Sequence, residues 1–223
     1  ITHITKISGA FFLPIFIYSC TSKNAGVDVD SSLMYCERQV NLALQQLNNS
    51  PQPPRNILSG DTTKNWNCTT IYDWTSGFWP GILWYLYENN HNQDNKEAAE
   101  AYSAALFPVA NRKADNHDLG FMLYCSLGNG YRLTGNEEYK QILLRAADSL
   151  ATLYDDRVGT IHSWPGMRKK MGWPHNTIID NMLNLELRFW ASRNGGRQSF
   201  YALAERHADV IMHNPFRDGY RTC

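Results

Sequence analysis

Asp118 and Asp180 are the residues of this 223-residue chain best placed to do chemistry. Each stands at the head of an apolar stretch, Leu119-Gly120-Phe121-Met122-Leu123 after the first and Asn181-Met182-Leu183 after the second. If both stretches are helices of one ring, both carboxylates face the same mouth. Such a pair can work as general acid and general base. An ionised carboxylate raises the pKa of a close neighbour, which then holds a proton near neutral pH. A plainer reading competes. Asp118 suits the positive end of a helix dipole. Thr177-Ile178-Ile179-Asp180 reads as a variant capping box with Thr177 as N-cap. Pattern alone favours capping over catalysis.

His117, beside Asp118, either orients a substrate or is a plain loop histidine, and pattern favours the loop. Trp74, Trp164 and Trp173 lie next to Gly and Pro in loops, where a ring either stacks on a sugar or packs locally. His162, His175, His207 and His213 show no metal-ligand spacing, so neither metal nor other cofactor is expected. There is no GxSxG and no P-loop, and Gly128-Asn129-Gly130 is not a dinucleotide fingerprint.

The elements that must carry these residues read as helices. Apolar spacing predicts about seven: 31–47, 77–88, 95–111, 119–132, 137–154, 177–193 and 197–213. Ser31 or Ser32 is the expected N-cap of the first. A loop rich in Trp, Pro and Gly spans 155–175. No strand alternation stands out. Segments 119–132 and 177–193 are apolar on most faces, as in helices buried all round. Segment 137–154 has one stripe, Ile142, Leu143, Ala146 and Leu150. Segment 197–213 repeats it with Phe200, Leu203, Ala204 and Ile211. Asp180 follows Asp118 by 62 positions, while Asp209 follows Asp148 and Phe200 follows Tyr139 by 61. A unit recurring at fixed period marks a repeat architecture. Buried inner and amphipathic outer helices fit an α/α toroid better than a solenoid.

Hydrophobic residues make up 43% of the chain, enough for one sizeable core. Lys plus Arg and Asp plus Glu are 21 each, and no basic patch stands out, which argues against nucleic acid. The 7 Trp, 12 Tyr and 9 Phe are mostly core, with a slight lean toward carbohydrate. At the N-terminus, Lys6, the apolar run 7–18 and Ser19-Cys20 read as an export signal of 1–20. Ile17-Tyr18-Ser19-Cys20 resembles a bacterial lipobox, with Cys20 lipidated, a polar linker at 21–30 and a periplasmic lipoprotein as the expectation. Cys36, Cys68, Cys125 and Cys223 form no CxxC pair, so no disulfide framework is expected.

Three motifs carry a family resemblance: Asp73-Trp74-Thr75-Ser76-Gly77-Phe78-Trp79-Pro80-Gly81, Asn116-His117-Asp118-Leu119-Gly120-Phe121 and Ile178-Ile179-Asp180-Asn181-Met182-Leu183-Asn184. In order and spacing they resemble glycoside hydrolase family 88, from about Leu33 onward. The resemblance implies an all-α (α/α)6 barrel. It implies removal of the unsaturated uronic acid from the non-reducing end of lyase-generated oligosaccharides, of chondroitin, hyaluronan or heparin type. It makes Asp180 the general acid/base and Asp118 its charged partner, with His117, Trp74 and Trp164 on the sugar. A monomer whose partner is the oligosaccharide is expected. Seven helices fall short of six hairpins, so 31–223 is expected to be the N-terminal part of the catalytic domain. Alone it is expected to be poorly stable and inactive. Rivals are an unsaturated rhamnogalacturonyl hydrolase, a non-catalytic sugar-binding lipoprotein and a helical interaction scaffold.

Overall fold

The computed structural model describes residues 28–48, 50–60, 62–214, 216–217 and 221–222. The export signal, Cys20, most of the linker and Cys223 lie outside the described residues. Helix α1 (Val29–Leu47) opens them. Its cap is Asp28, whose carboxylate accepts the Ser31 N–H at 3.1 Å; Ser31 and Ser32, expected as caps, lie inside the helix. A short pair, β1 (Pro54–Asn56) and β2 (Asn67–Cys68), precedes α2 (Phe78–Asn90). Then come α3 (Gln93–Ala105) and the one-turn α4 (Phe107–Ala110), where a single helix over 95–111 was expected. Pro108 accounts for the break, since it lacks the N–H a continuing helix needs.

The first carboxylate-bearing helix is continuous from 119 to 134 but irregular. Helix α5 (Leu119–Leu123) passes through a π turn (Tyr124–Gly128) into α6 (Asn129–Thr134). Gly135, at φ 67°, ends it and Asn136 caps α7 (Glu137–Ala151). The stripe read from sequence is the buried one: Ile142, Leu143, Ala146 and Leu150 are all core. The loop that follows holds a hairpin, β3 (Tyr154–Asp155) with β4 (Thr160–Ile161), and the five-residue α8 (Met167–Met171). These strands are too short to alternate visibly in sequence.

The expected helix over 177–193 divides. Ile178 is extended, at φ −127° and ψ 163°. Residues Ile179–Asn184 form a 3-10 helix, and α9 (Leu185–Arg193) begins after it. Thr177 caps nothing there. The run Thr177-Ile178-Ile179 is β-branched throughout, which disfavours an α-helical start. Helix α10 (Ser199–His213) closes the third helical hairpin, and a strand pair, β5 (Phe216–Arg217) with β6 (Arg221–Thr222), follows. In the hairpins α2/α3, α5–α6/α7 and α9/α10, the first members pack against one another and the second members lie against them. The core runs through all three, with Leu83, Trp84, Leu123, Leu127, Leu143, Leu150, Leu187 and Ala204 fully buried. The inner helices are not apolar throughout: Leu183 is exposed, while Asn181, Asn184 and Arg188 are buried. Cys36, Cys68 and Cys125 are free, and burial pushes the Cys125 thiol up to about 11. No helix among the described residues is long and apolar enough to cross a membrane.

Arg188 donates to the Leu150 carbonyl at 3.1 Å, at the negative end of α7. Beside it, buried His207 accepts the Ile161 N–H on Nδ1 at 3.0 Å. Burial, then the charges of Arg188, His117 and His175, push this imidazole down to about 4. The folded protein therefore binds this proton more weakly than the unfolded chain, whose histidine titrates near 6.5. Stability is complete above about pH 6.5 and is lost as pH falls toward 4, by about 3 kcal/mol in all. Urea melts across that window should show the loss. His207→Asn, whose amide oxygen can still accept from Ile161, should flatten it; an unchanged slope would show that His207 is not its source.

Candidate active site

Asp118 and His117 stand at the entrance to α5. Asp118 makes no side-chain cap, so its carboxylate is free for other work. Its N–H is held by Asn116 Oδ1 at 3.0 Å, and its carbonyl accepts the Met122 N–H that starts the helix. Asp180 sits in the 3-10 helix across the mouth. Its side chain is 43% exposed, against 15% for Asp118. Neither carboxylate makes a capping hydrogen bond, although Asp118 holds the N-cap position of α5 and Asp180 lies in the first turn of its 3-10 helix.

Buried His117 lies between them. Its Nε2 is 2.8 Å from Oδ1 of Asp118 and 3.5 Å from Oδ1 of Asp180. Neither contact has the alignment of a directed hydrogen bond, and both become ion pairs only when His117 is protonated. Burial raises the Asp180 pKa, His117 works against that, and the Asp118 charge raises it further. The net shift is upward, as an acid that must hold its proton near neutrality requires. Donor atoms of all three residues lie within 4.8 Å of one another, a span that a metal ion would also accept. The spacing search in sequence missed this grouping because His117 and Asp118 are adjacent and Asp180 is remote.

Aromatic rings border the carboxylates. Trp164 lies 5.3 Å from His117, centroid to centroid, and Asn176 binds both its N–H and its carbonyl. Trp74 is 49% exposed and meets Phe78 edge-on at 6.0 Å; Phe78 stacks on Phe121, one turn beyond Asp118. Trp173 is exposed after α8, and no described ring contact joins it to the site. A cavity of about 1010 Å³ touches the site only through Asn116 and Trp164 and does not include the carboxylates. The candidate site is therefore defined by the charge cluster and not by this cavity.

Sequence reasoning gave no role to Ser163, Asn181 and Asn184, all fully buried under the site. Two amides three positions apart inside an apolar run were the available signal.

Three helical hairpins, whose inner helices bring two acidic side chains together, form an incomplete (α/α)6 barrel. No family model matches the chain. It is 37% identical over 149 residues to an unsaturated glucuronyl hydrolase of Formosa agariphila, covering 66% of this chain and 36% of that one. It is 34% identical over 148 residues to an unsaturated chondroitin disaccharide hydrolase of Streptococcus pneumoniae, covering 66% and 37%. A solved unsaturated glucuronyl hydrolase specific for heparin superposes with a TM-score of 0.75 at 34% identity, over 86% of this chain and 51% of that one. The curated relatives are named unsaturated glucuronyl hydrolases or unsaturated chondroitin disaccharide hydrolases, and the solved structures that this chain resembles are unsaturated glucuronyl hydrolases, glycoside hydrolase family 88. The chain spans about half the length of that solved relative and 36% of the Formosa one.

Proposed function

We propose that the protein removes a 4,5-unsaturated glucuronic acid from the non-reducing end of lyase-generated glycosaminoglycan fragments. The carrying observation is one partly exposed carboxyl group, Asp180, whose pKa is raised by burial and by a second carboxylate held across His117. Asp180 gives its proton to C4 of the C4=C5 double bond, and positive charge develops at C5 and the ring oxygen. The Asp118 carboxylate stabilises that charge. Water then adds at C5 and returns a proton to Asp180. The product is a hemiketal, which opens and releases the remaining sugar. Because this is hydration of a vinyl ether, the carboxylate-spacing rule for retaining and inverting glycosidases does not govern it. Trp74 and Trp164 offer flat faces to the sugar, and His117 lies within reach of both carboxylates. An exported lipoprotein anchored at Cys20 remains part of the proposal and rests on residues 6–20 alone.

The relatives differ in the substrate their names carry, chondroitin for one and heparin for another. The test uses the protein as its gene encodes it, with unsaturated disaccharides from chondroitin, hyaluronan, heparin and rhamnogalacturonan. Loss of the ultraviolet absorbance of the double bond is expected with at least one glucuronyl substrate and not with the rhamnogalacturonyl one. The opposite pattern, or binding without turnover, would overturn the proposal.

A further inference from the structure

A closed circuit of mostly buried hydrogen bonds links the segments that carry the two carboxylates. The His117 N–H donates to the Ser163 carbonyl at 3.0 Å. Ser163 Oγ accepts from the Ile178 N–H at 3.2 Å and from Asn181 Nδ2 at 3.3 Å. Asn181 Nδ2 also donates to the Ile161 carbonyl at 3.0 Å, and Asn181 Oδ1 accepts from Asn184 Nδ2 at 3.0 Å. Asn184 Oδ1 then accepts the Phe121 N–H at 2.9 Å, 63 residues away in the chain. His117 and Phe121 flank Asp118, while Ile178 and Asn181 flank Asp180. The Asp118 segment is thus tied on both sides to the segment carrying Asp180. One tie would fix a distance; two also fix rotation. Ser163, Asn181 and Asn184 are each fully buried, so water cannot replace a lost partner cheaply.

The circuit also explains Gly120. A Cβ there would stand 2.2 Å from Asn184 Oδ1 and 2.8 Å from its Cβ. Only glycine lets the amide reach the Phe121 N–H.

We propose that Asn181 and Asn184 are positioning residues that hold Asp118 and Asp180 at their working separation and orientation, which rests on the reading of that pair as the catalytic one. Neither amide touches the reacting atoms. Asn184→Leu removes both of its bonds, Asn184→Asp keeps the shape and the bond from Phe121, and Gly120→Ala displaces the amide without removing any polar group.

The experiment measures steady-state kinetics of the three variants in the protein as its gene encodes it. It also follows the Asp180 carboxyl carbon by NMR across a pH titration without substrate. Misplacing a reacting group by about an ångström costs on the order of 100-fold. For Asn184→Leu and Gly120→Ala, kcat should fall roughly 30- to 100-fold with KM changed less than about threefold. Asn184→Asp should lose less. The Asp180 titration should shift in Asn184→Leu and Gly120→Ala, because His117 and Asp118, which act on it in opposite directions, no longer sit at their native distances. A merely structural role would lower the melting temperature but leave kcat per folded molecule and the titration unchanged, and that result overturns the proposal. If the unaltered protein turns over no unsaturated disaccharide, the functional reading fails, yet the titration still decides the positioning.

Discussion

Asp180→Asn should reduce kcat at least about 1000-fold and leave the fold intact. Asparagine has the same shape, so substrate binding should change little, but it has no proton to give to C4. Proton transfer by a positioned group contributes about 100- to 10,000-fold, and in the proposed reaction the same group acts in both halves. The loss therefore belongs near the top of that range. Asp118→Asn should behave differently. The Asp118 charge helps raise the Asp180 pKa. Removing it lowers that pKa, and the acid form of Asp180 is then lost at lower pH. The alkaline fall of the rate profile should move toward acid as well as the rate dropping. The measurement is the decay of double-bond absorbance against pH, with melting curves beside it. An Asp180→Asn protein that keeps near-normal turnover would remove Asp180 from its role.

Gly77→Ala should lower stability by about 3 kcal/mol or more, at the upper end of what overpacking usually costs. For a chain of this size that is a fall of roughly 6–12 °C in melting temperature. Gly77 has an ordinary φ of −79°, so backbone conformation is not the reason. The reason is closeness: an added Cβ would meet the Met122 carbonyl oxygen at 1.9 Å and its carbon at 2.6 Å. These are main-chain atoms and cannot rotate aside. Met122 is also the residue whose N–H bonds the Asp118 carbonyl. Pushing α2 from α5 would disturb the Asp118 end of the helix as well as the core. Calorimetry and circular dichroism on Gly77→Ala would show it, and an unchanged melting temperature would mean that the two helices are further apart in solution.

The hairpin order was legible because burial repeats with helical period. The stripe of α7 was read correctly residue by residue, and Phe200, Ala204 and Ile211 of α10 are buried as read. The repeat of 61–62 positions brought Asp118 and Asp180 to one mouth, where spacing alone preferred capping. The entrance to Asp180 was misread. Thr177 and Asp180 fit a capping formula, yet the β-branched run and the Asn181 and Asn184 amides pull that segment into extended and 3-10 structure. Buried amides are hard to find in one sequence, since nothing local separates an inward Asn from a solvated one. His117 illustrates the same limit: its place between two carboxylates depends on a contact 63 positions away.

The π turn at Tyr124–Gly128 has a consequence for how this protein can change. A regular α-helix advances about 100° per residue, so a one-residue insertion swings everything beyond it to a new side. A π turn absorbs that extra residue locally. The carboxylate end at Asp118 and the packing end at Gly130 and Tyr131 are thereby set to different phases along one continuous rod. Deleting a single residue here would give a more regular helix and a misaligned one, with either the carboxylate or the packing surface facing the wrong way. The irregularity lets the two ends of the helix answer to separate demands.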